Sequence, residues 1–149
     1  MTLSVRAPFT AHVVALSEVP DPVFASGVVG EGCALVPTAA EDCITGIVTK
    51  LKPHAAIVTS TRGVSILVHL GIDTVSLHGK GFALLLEEGD VVTTGDPLIH
   101  WDLTPARDAA LSPCVPIIIV SPPGLTATPD ARGGQVSVLD PIFSIEDPA

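Results

Sequence analysis

The run Ile66-Leu67-Val68-His69-Leu70-Gly71-Ile72-Asp73-Thr74-Val75 carries a histidine from an apolar strand directly into a Gly-Ile-Asp-Thr turn. Fifteen residues earlier, Lys52-Pro53-His54-Ala55-Ala56-Ile57-Val58 places a second histidine at the head of another apolar run. Imidazole changes charge near neutral pH, so a histidine at a strand end can serve as nucleophile, proton carrier or metal ligand. Asp73, four residues after His69, can orient a ring, accept hydrogen bonds from turn amides, or cap its own turn. His12, His78 and His100 lack such a setting and read as ordinary polar residues.

Metal chemistry is one alternative. His69-Leu70-Gly71-Ile72-Asp73 matches a His-x-Gly-x-Asp ligand pattern of the kind found in zinc metallopeptidases on β-scaffolds. Such a site needs a further His-x-His pair, and the sequence contains none. His54 and His69 alone would fill half of a tetrahedral site, so weak zinc binding is the most expected of them. No other metal site and no cofactor are expected.

The elements that must position these residues read as short strands. Fourteen prolines and thirteen glycines punctuate the chain, and the pieces between them are β-branched runs. Strands are predicted at Val13–Leu16, Cys33–Val36, Gly46–Leu51, Ala56–Ser60, Val64–His69, Pro97–Trp101, Pro116–Val120, Gln135–Leu139 and Ile142–Ile145. A period of two puts Val64, Ile66 and Val68 towards the core, with Ser65, Leu67 and His69 on the opposite face. The same alternation gives His54 a face shared with Ala56 and Val58. If the two strands are neighbours, two imidazoles can meet in a mostly apolar depression. Only 102–111 reads as a helix, with Asp102 or Thr104 suited to cap it and Pro105 at an early position. The stretch from Glu87 to Ile99 reads as a Gly-Asp, strand, Gly-Asp, strand pattern, with Gly89-Asp90 and Gly95-Asp96 as strong turn signals.

The whole chain narrows the classes further. Its 149 residues are 47% hydrophobic and only 3% aromatic, so one core built of Val, Ile, Leu and Ala is expected. A net charge of −9 argues against nucleic acid and anionic membranes as partners and favours a basic protein surface. No apolar run approaches the ~20 residues that cross a bilayer, and the first residues lack a signal-peptide layout, so no membrane insertion and a cytoplasmic home are expected. Cys33, Cys43 and Cys114 are odd in number without metal-like spacing and read as reduced thiols.

Several pieces together resemble a known family. They are Val19-Pro20-Asp21-Pro22-Val23-Phe24-Ala25, Val29-Gly30-Glu31-Gly32-Cys33-Ala34 with Pro37-Thr38, Gly46-Ile47-Val48, His54-Ala55, Leu67 to Val75, Gly79-Lys80-Gly81-Phe82 and Gly89-Asp90. In this order, from about Val5 to Ser144, they resemble the glucose-type IIA (EIIA) domain of the bacterial phosphoenolpyruvate-dependent sugar phosphotransferase system. The resemblance implies an all-β barrel-sandwich hybrid, a duplicated hybrid motif of many short antiparallel strands with at most one or two short helices. A single domain over 1–149 is expected.

It also implies a phosphotransferase component in which His69 is the phosphorylated histidine and His54 its active-site partner. The donor would be HPr and the acceptor the IIB cysteine of a sugar permease of glucose or N-acetylglucosamine type. Regulated transporters or enzymes would be further partners, because phosphorylation changes the surface charge. Phe24 and Phe82 would edge the docking surface.

Imidazole chemistry agrees with this, being both a nucleophile near neutral pH and a leaving group, while a neighbouring imidazole can donate to the equatorial oxygens. The chain departs from the family pattern in three places. Lys52 stands where many relatives have threonine, either bringing positive charge towards the phosphoryl group or remaining a solvated lysine. Asp42-Cys43-Ile44-Thr45 replaces an Ala-Pro-Val-type segment, and strand-like sequence begins without the amphipathic tail of some members, so tail-mediated membrane contact is not expected.

Overall fold

A computed structural model describes residues 2–6, 11–26, 30–37, 46–52, 54–60, 63–92, 99–122, 125–129, 134–136 and 141–146. The strands in chain order are β1 (Thr2–Arg6), β2 (Ala11–Val14), β3 (Gly32–Pro37), β4 (Gly46–Lys52), β5 (Ala55–Thr59), β6 (Ser65–His69) and β7 (Phe82–Leu84). They continue as β8 (Val91–Val92), β9 (Ile99–Trp101), β10 (Val115–Ser121), β11 (Ala127–Pro129), β12 (Gly134–Val136) and β13 (Pro141–Glu146). Two short helices, α1 (Pro22–Ala25) and α2 (Thr104–Asp108), and 3-10 turns at Leu16–Glu18 and Thr74–Leu77 complete the set.

All described pairings are antiparallel. The largest sheet runs β12-β2-β3-β10-β6-β5-β4-β8, beside a three-stranded β1-β13-β11 sheet and a β7-β9 pair. This is the all-β, sandwich-like architecture expected from the sequence.

The pattern of side chains explains how the middle of the large sheet is buried. In β6, Ile66 and Val68 turn inward together with the preceding Val64, and all three are buried. Across the β5–β6 ladder they meet Val58 and Ala56, likewise buried. β10 reads Val-Pro-Ile-Ile-Ile-Val, and its residues from Val115 to Ile119 are buried on both faces, as a strand covered on each side should be. Gly32 on β3 lets that strand lie close to β10, since a Cβ there would run into the Ile117 carbonyl. The β5–β6 register is fixed at its closed end by a Thr59 Oγ1 to Ser65 Oγ bond of 2.8 Å and by Ser60 N–H donating to Val64 O. Its open end, where Ala55 faces His69, is therefore set as well.

A second, smaller core lies apart from the main one. Val19, Ala34, Ile72 and Cys114 are buried together, with Val14, Leu16 and Phe24 packed against them. This cluster ties the segment around α1 to the turn after β6.

Several boundaries differ from the sequence reading. The predicted strand Val13–Leu16 is Ala11–Val14, and Leu16 begins a 3-10 turn. The helix is only Thr104–Asp108, with Asp102 Oδ1 accepting the Thr104 N–H at 3.0 Å. It is not alone, because α1 is also helical. β7 and β11 are additions to the sequence reading, β1 and β8 fall where the sequence reads as strand-like, and 97–98 and 137–139 of two predicted strands lie outside the described residues.

Cys43 and the Asp42–Thr45 segment also lie outside the described residues. Cys33 and Cys114 are free thiols, pushed up to about 12 and about 11 by burial, so neither is a ready nucleophile. Trp101 is a core residue stacked on Phe82 at 5.7 Å, so Phe82 packs into the main core and not beside the histidines.

Candidate functional site

β6 is paired by β5 on one side and β10 on the other, and it ends at His69. His69 lies on the face away from the main core, as its alternation requires, and is half-buried. His54 occupies the connection between β4 and β5, where Lys52 pairs with Ala55. The alternation within β5 does not extend to a turn residue. His54 therefore does not share the face of Ala56 and Val58, which point into the core. Its carbonyl accepts the Leu70 N–H at 2.7 Å, and its ring stands edge-on to His69, with centroids 5.1 Å apart and planes at 73°.

Phe24 closes the other side of His69. Its ring centroid lies 5.2 Å from the imidazole, and the small core behind it fixes its place. α1 is short but defined, with Ala25 N–H donating to Asp21 O at 2.9 Å.

The His69 ring is held by a backbone atom. Its Nδ1 lies 2.7 Å from the Gly71 carbonyl oxygen. A carbonyl can only accept, so Nδ1 carries the proton and Nε2 keeps the free electron pair. Gly71 has φ +84°, and a Cβ there would come within 2.4 Å of Thr74 Cγ2, so both conformation and space call for glycine. Ile72 N–H donates to Ser112 O at 3.0 Å and anchors the turn to the segment before β10.

The electrostatics favour neutral rings. Burial lowers the His69 pKa below the ordinary 6.5, opposed by the Gly71 carbonyl and by the negative charges of Asp21 and Asp73. His54 is lowered by burial, then by the neighbouring His69 and by Lys52. Lys52 itself is exposed at the end of β4, so it is a solvated lysine whose field reaches His54. Asp73 is exposed, with φ 60°. Its side chain does not cap the following 3-10 turn; its carbonyl does, accepting Ser76 N–H at 3.1 Å and Ser76 Oγ–H at 2.7 Å. The ring is oriented by Gly71, and Asp73 contributes charge.

The site thus brings together His69, His54 and Phe24, with the charges of Asp73 and Lys52 close enough to act on the rings. It adds two participants that sequence reading passed over, the Gly71 carbonyl and Asp21. Asp21 lies in the Val19–Ala25 run that carries part of the family resemblance, which was its one signal; the carbonyl had none. The His-x-Gly-x-Asp pattern does not converge: His54, His69 and Asp73 form no group able to hold a metal, and no group of three or more His, Cys, Asp or Glu does so among the described residues.

The chain as a whole is similar to known proteins. The family model for the phosphoenolpyruvate-dependent sugar phosphotransferase system, EIIA 1, matches residues 3–123. The chain is 42% identical over 123 residues to the PTS system glucose-specific EIIA component of Staphylococcus epidermidis, covering 80% of this chain and 74% of that protein. It is 35% identical over 145 residues to the PTS system beta-glucoside-specific EIIBCA component of Bacillus subtilis, covering 95% of this chain and 24% of that longer protein. Among solved structures, glucose permease IIA from Mycoplasma capricolum superposes with a TM-score of 0.89 at 31% identity, over 97% of this chain and 96% of that one.

Proposed function

Since this chain belongs to the EIIA 1 family of the phosphoenolpyruvate-dependent sugar phosphotransferase system, we propose that it is a phosphoryl carrier with His69 as its phosphorylated residue and His54 as the partner of that residue. The observation that carries the reading is the 2.7 Å contact of His69 Nδ1 with the Gly71 carbonyl, which leaves Nε2 as the nucleophilic nitrogen.

In the accepting step the Nε2 electron pair forms a bond to phosphorus, and the bond from phosphorus to the donor histidine of HPr breaks, its pair returning to the donor ring. His69 keeps the Nδ1 proton, so its ring gains positive charge. Gly71 O, Asp21 and Asp73, which favour the charged ring, lie where that charge appears. Burial keeps the resting ring neutral and able to attack. In the onward step a IIB thiolate attacks phosphorus, and the pair of the N–P bond returns to Nε2.

His54 donates its N–H to the equatorial oxygens as charge shifts between the two nitrogens. Lys52 adds a positive field from the solvent side. The two relatives carry the names of different sugars, which supports a sugar choice made in the permease and not in this domain. The carrier would be one domain over 1–149 acting in the cytoplasm, and no described helix is long and apolar enough to cross a membrane.

The test is reconstitution with phosphoenolpyruvate, enzyme I and HPr, followed by mapping of the acid-labile phosphate. Label on His69 is expected. Label elsewhere, or none with competent donors, would defeat the assignment.

A further inference from the structure

We infer that Thr74 is a positioning residue for the nucleophile, acting through Gly71 to hold the His69 ring in the tautomer with a free Nε2. The inference rests on the carrier reading for its catalytic meaning, though not for its structural content.

Thr74 is fully buried, the one buried polar side chain among the described residues, and its Oγ1–H donates to the Leu70 carbonyl at 2.6 Å. Its methyl carbon packs over Gly71, at 2.4 Å from where a Cβ would stand. The neighbouring peptide planes meet at Gly71, the residue least able to resist rotation about its own bonds. One plane ends in the Leu70 carbonyl, and Thr74 holds it. The other carries the Gly71 carbonyl that accepts from His69 and the Ile72 N–H that donates to Ser112 O.

The Leu70 N–H is in turn bound to the His54 carbonyl. The Thr74 hydroxyl thus holds the plane on one side of Gly71 while the Ile72 N–H to Ser112 bond holds the other, and together they fix the carbonyl that aims His69. Without the hydroxyl the turn is restrained from the Ser112 side alone, the Gly71 carbonyl shifts from its line to His69, and the His69 proton can exchange between the two nitrogens.

The experiment compares Thr74→Val, which keeps the shape and removes the donor, with Thr74→Ser, which keeps the donor. With 15N-labelled histidine, the Nδ1 and Nε2 shifts at pH above the imidazole range report the tautomer of His69. The wild type and Thr74→Ser are expected to hold the Nδ1–H form and accept phosphoryl within about twofold of each other. Thr74→Val is expected to show mixed tautomers and a rate lower by about tenfold, the effect of one buried hydrogen bond lost.

A folded Thr74→Val with the wild-type tautomer and rate overturns the inference. Loss of the Nδ1–H form in Thr74→Ser overturns it too, and that arm stands even if Thr74→Val does not fold. Absence of phosphate on wild-type His69 would sink the carrier reading, while the tautomer comparison would still decide the role of Thr74.

Discussion

His69 and His54 stand 5.1 Å apart and are held in opposite ways. His69 ends a strand paired on both sides, is flanked by Phe24, and has one ring nitrogen bound to a backbone carbonyl that is itself anchored to Thr74 and Ser112 through the turn. His54 sits in a strand connection, where its backbone is bound to Leu70 and its described ring contact is His69. A nucleophile must present one electron pair in one direction, which asks for a rigid mount. A group that donates to a moving phosphoryl gains from a looser one. On the carrier reading proposed above, the contrast fits aim in one imidazole and adaptation in the other.

Removing either ring tests that division most strongly. His69→Ala is expected to abolish acceptance from HPr, because no other described imidazole shares its mount. His54→Gln is expected to accept phosphoryl still but pass it to IIB slower by about a hundredfold, the size of effect seen when one transition-state donor is lost. Single-turnover assays of each half-reaction separate the two, and equal losses in both halves for His54→Gln would collapse the contrast.

The mount itself can be strained without touching a ring. Gly71→Ala must take a φ of +84° and displace the Thr74 methyl, so a stability loss of about 1–3 kcal/mol is expected in urea unfolding. Slower acceptance should accompany it, and a variant as stable and as fast as the wild type would show that the turn is not fixed as described.

Proton binding gives a milder probe. Both rings titrate below 6.5, so acceptance should persist as pH falls past 6.5 and fail only at the lower His69 value. Stability has a definite sign: the unfolded chain takes up these protons first, so the pair costs nothing well above pH 6.5. Stability then falls as pH drops through 6.5, levelling below the depressed native values. Stability that rises on acidification through this window would contradict the pattern of burial.

The smallest effect concerns His54 alone. Lys52→Gln removes the positive field and should raise the His54 pKa towards 6.5 in an NMR titration, leaving His69 nearly unmoved. No change at His54 would leave Lys52 without a part in the site.

The same contrast explains what was legible in the sequence. The mount of His69 was legible because β6 and β10 are long enough for side-chain pattern to show: Val64, Ile66 and Val68 alternate inward, and the Ile117–Ile119 run is buried throughout. His54 was found by its motif but given the wrong face, since period two stops where the strand stops. β7, with two of three residues exposed, owes its existence to its partner β9 and carries little pattern of its own. α1, at four residues, is too short for a helical period. The Gly71 carbonyl belongs to the backbone, and no residue type announces where a carbonyl will point. Thr74 was read merely as part of a turn, and its hydroxyl gains meaning only when Leu70 and Gly71 are placed around it.

The claim that His69 is aimed through Nε2 meets its most direct test in the phosphorylated protein itself. With 15N-histidine and phosphate introduced from phosphoenolpyruvate through enzyme I and HPr, 31P–15N coupling identifies the bonded nitrogen. Coupling to Nε2 of His69, with Nδ1 still protonated, is the expected result. Coupling to Nδ1 of His69, or to either nitrogen of His54, would contradict the account.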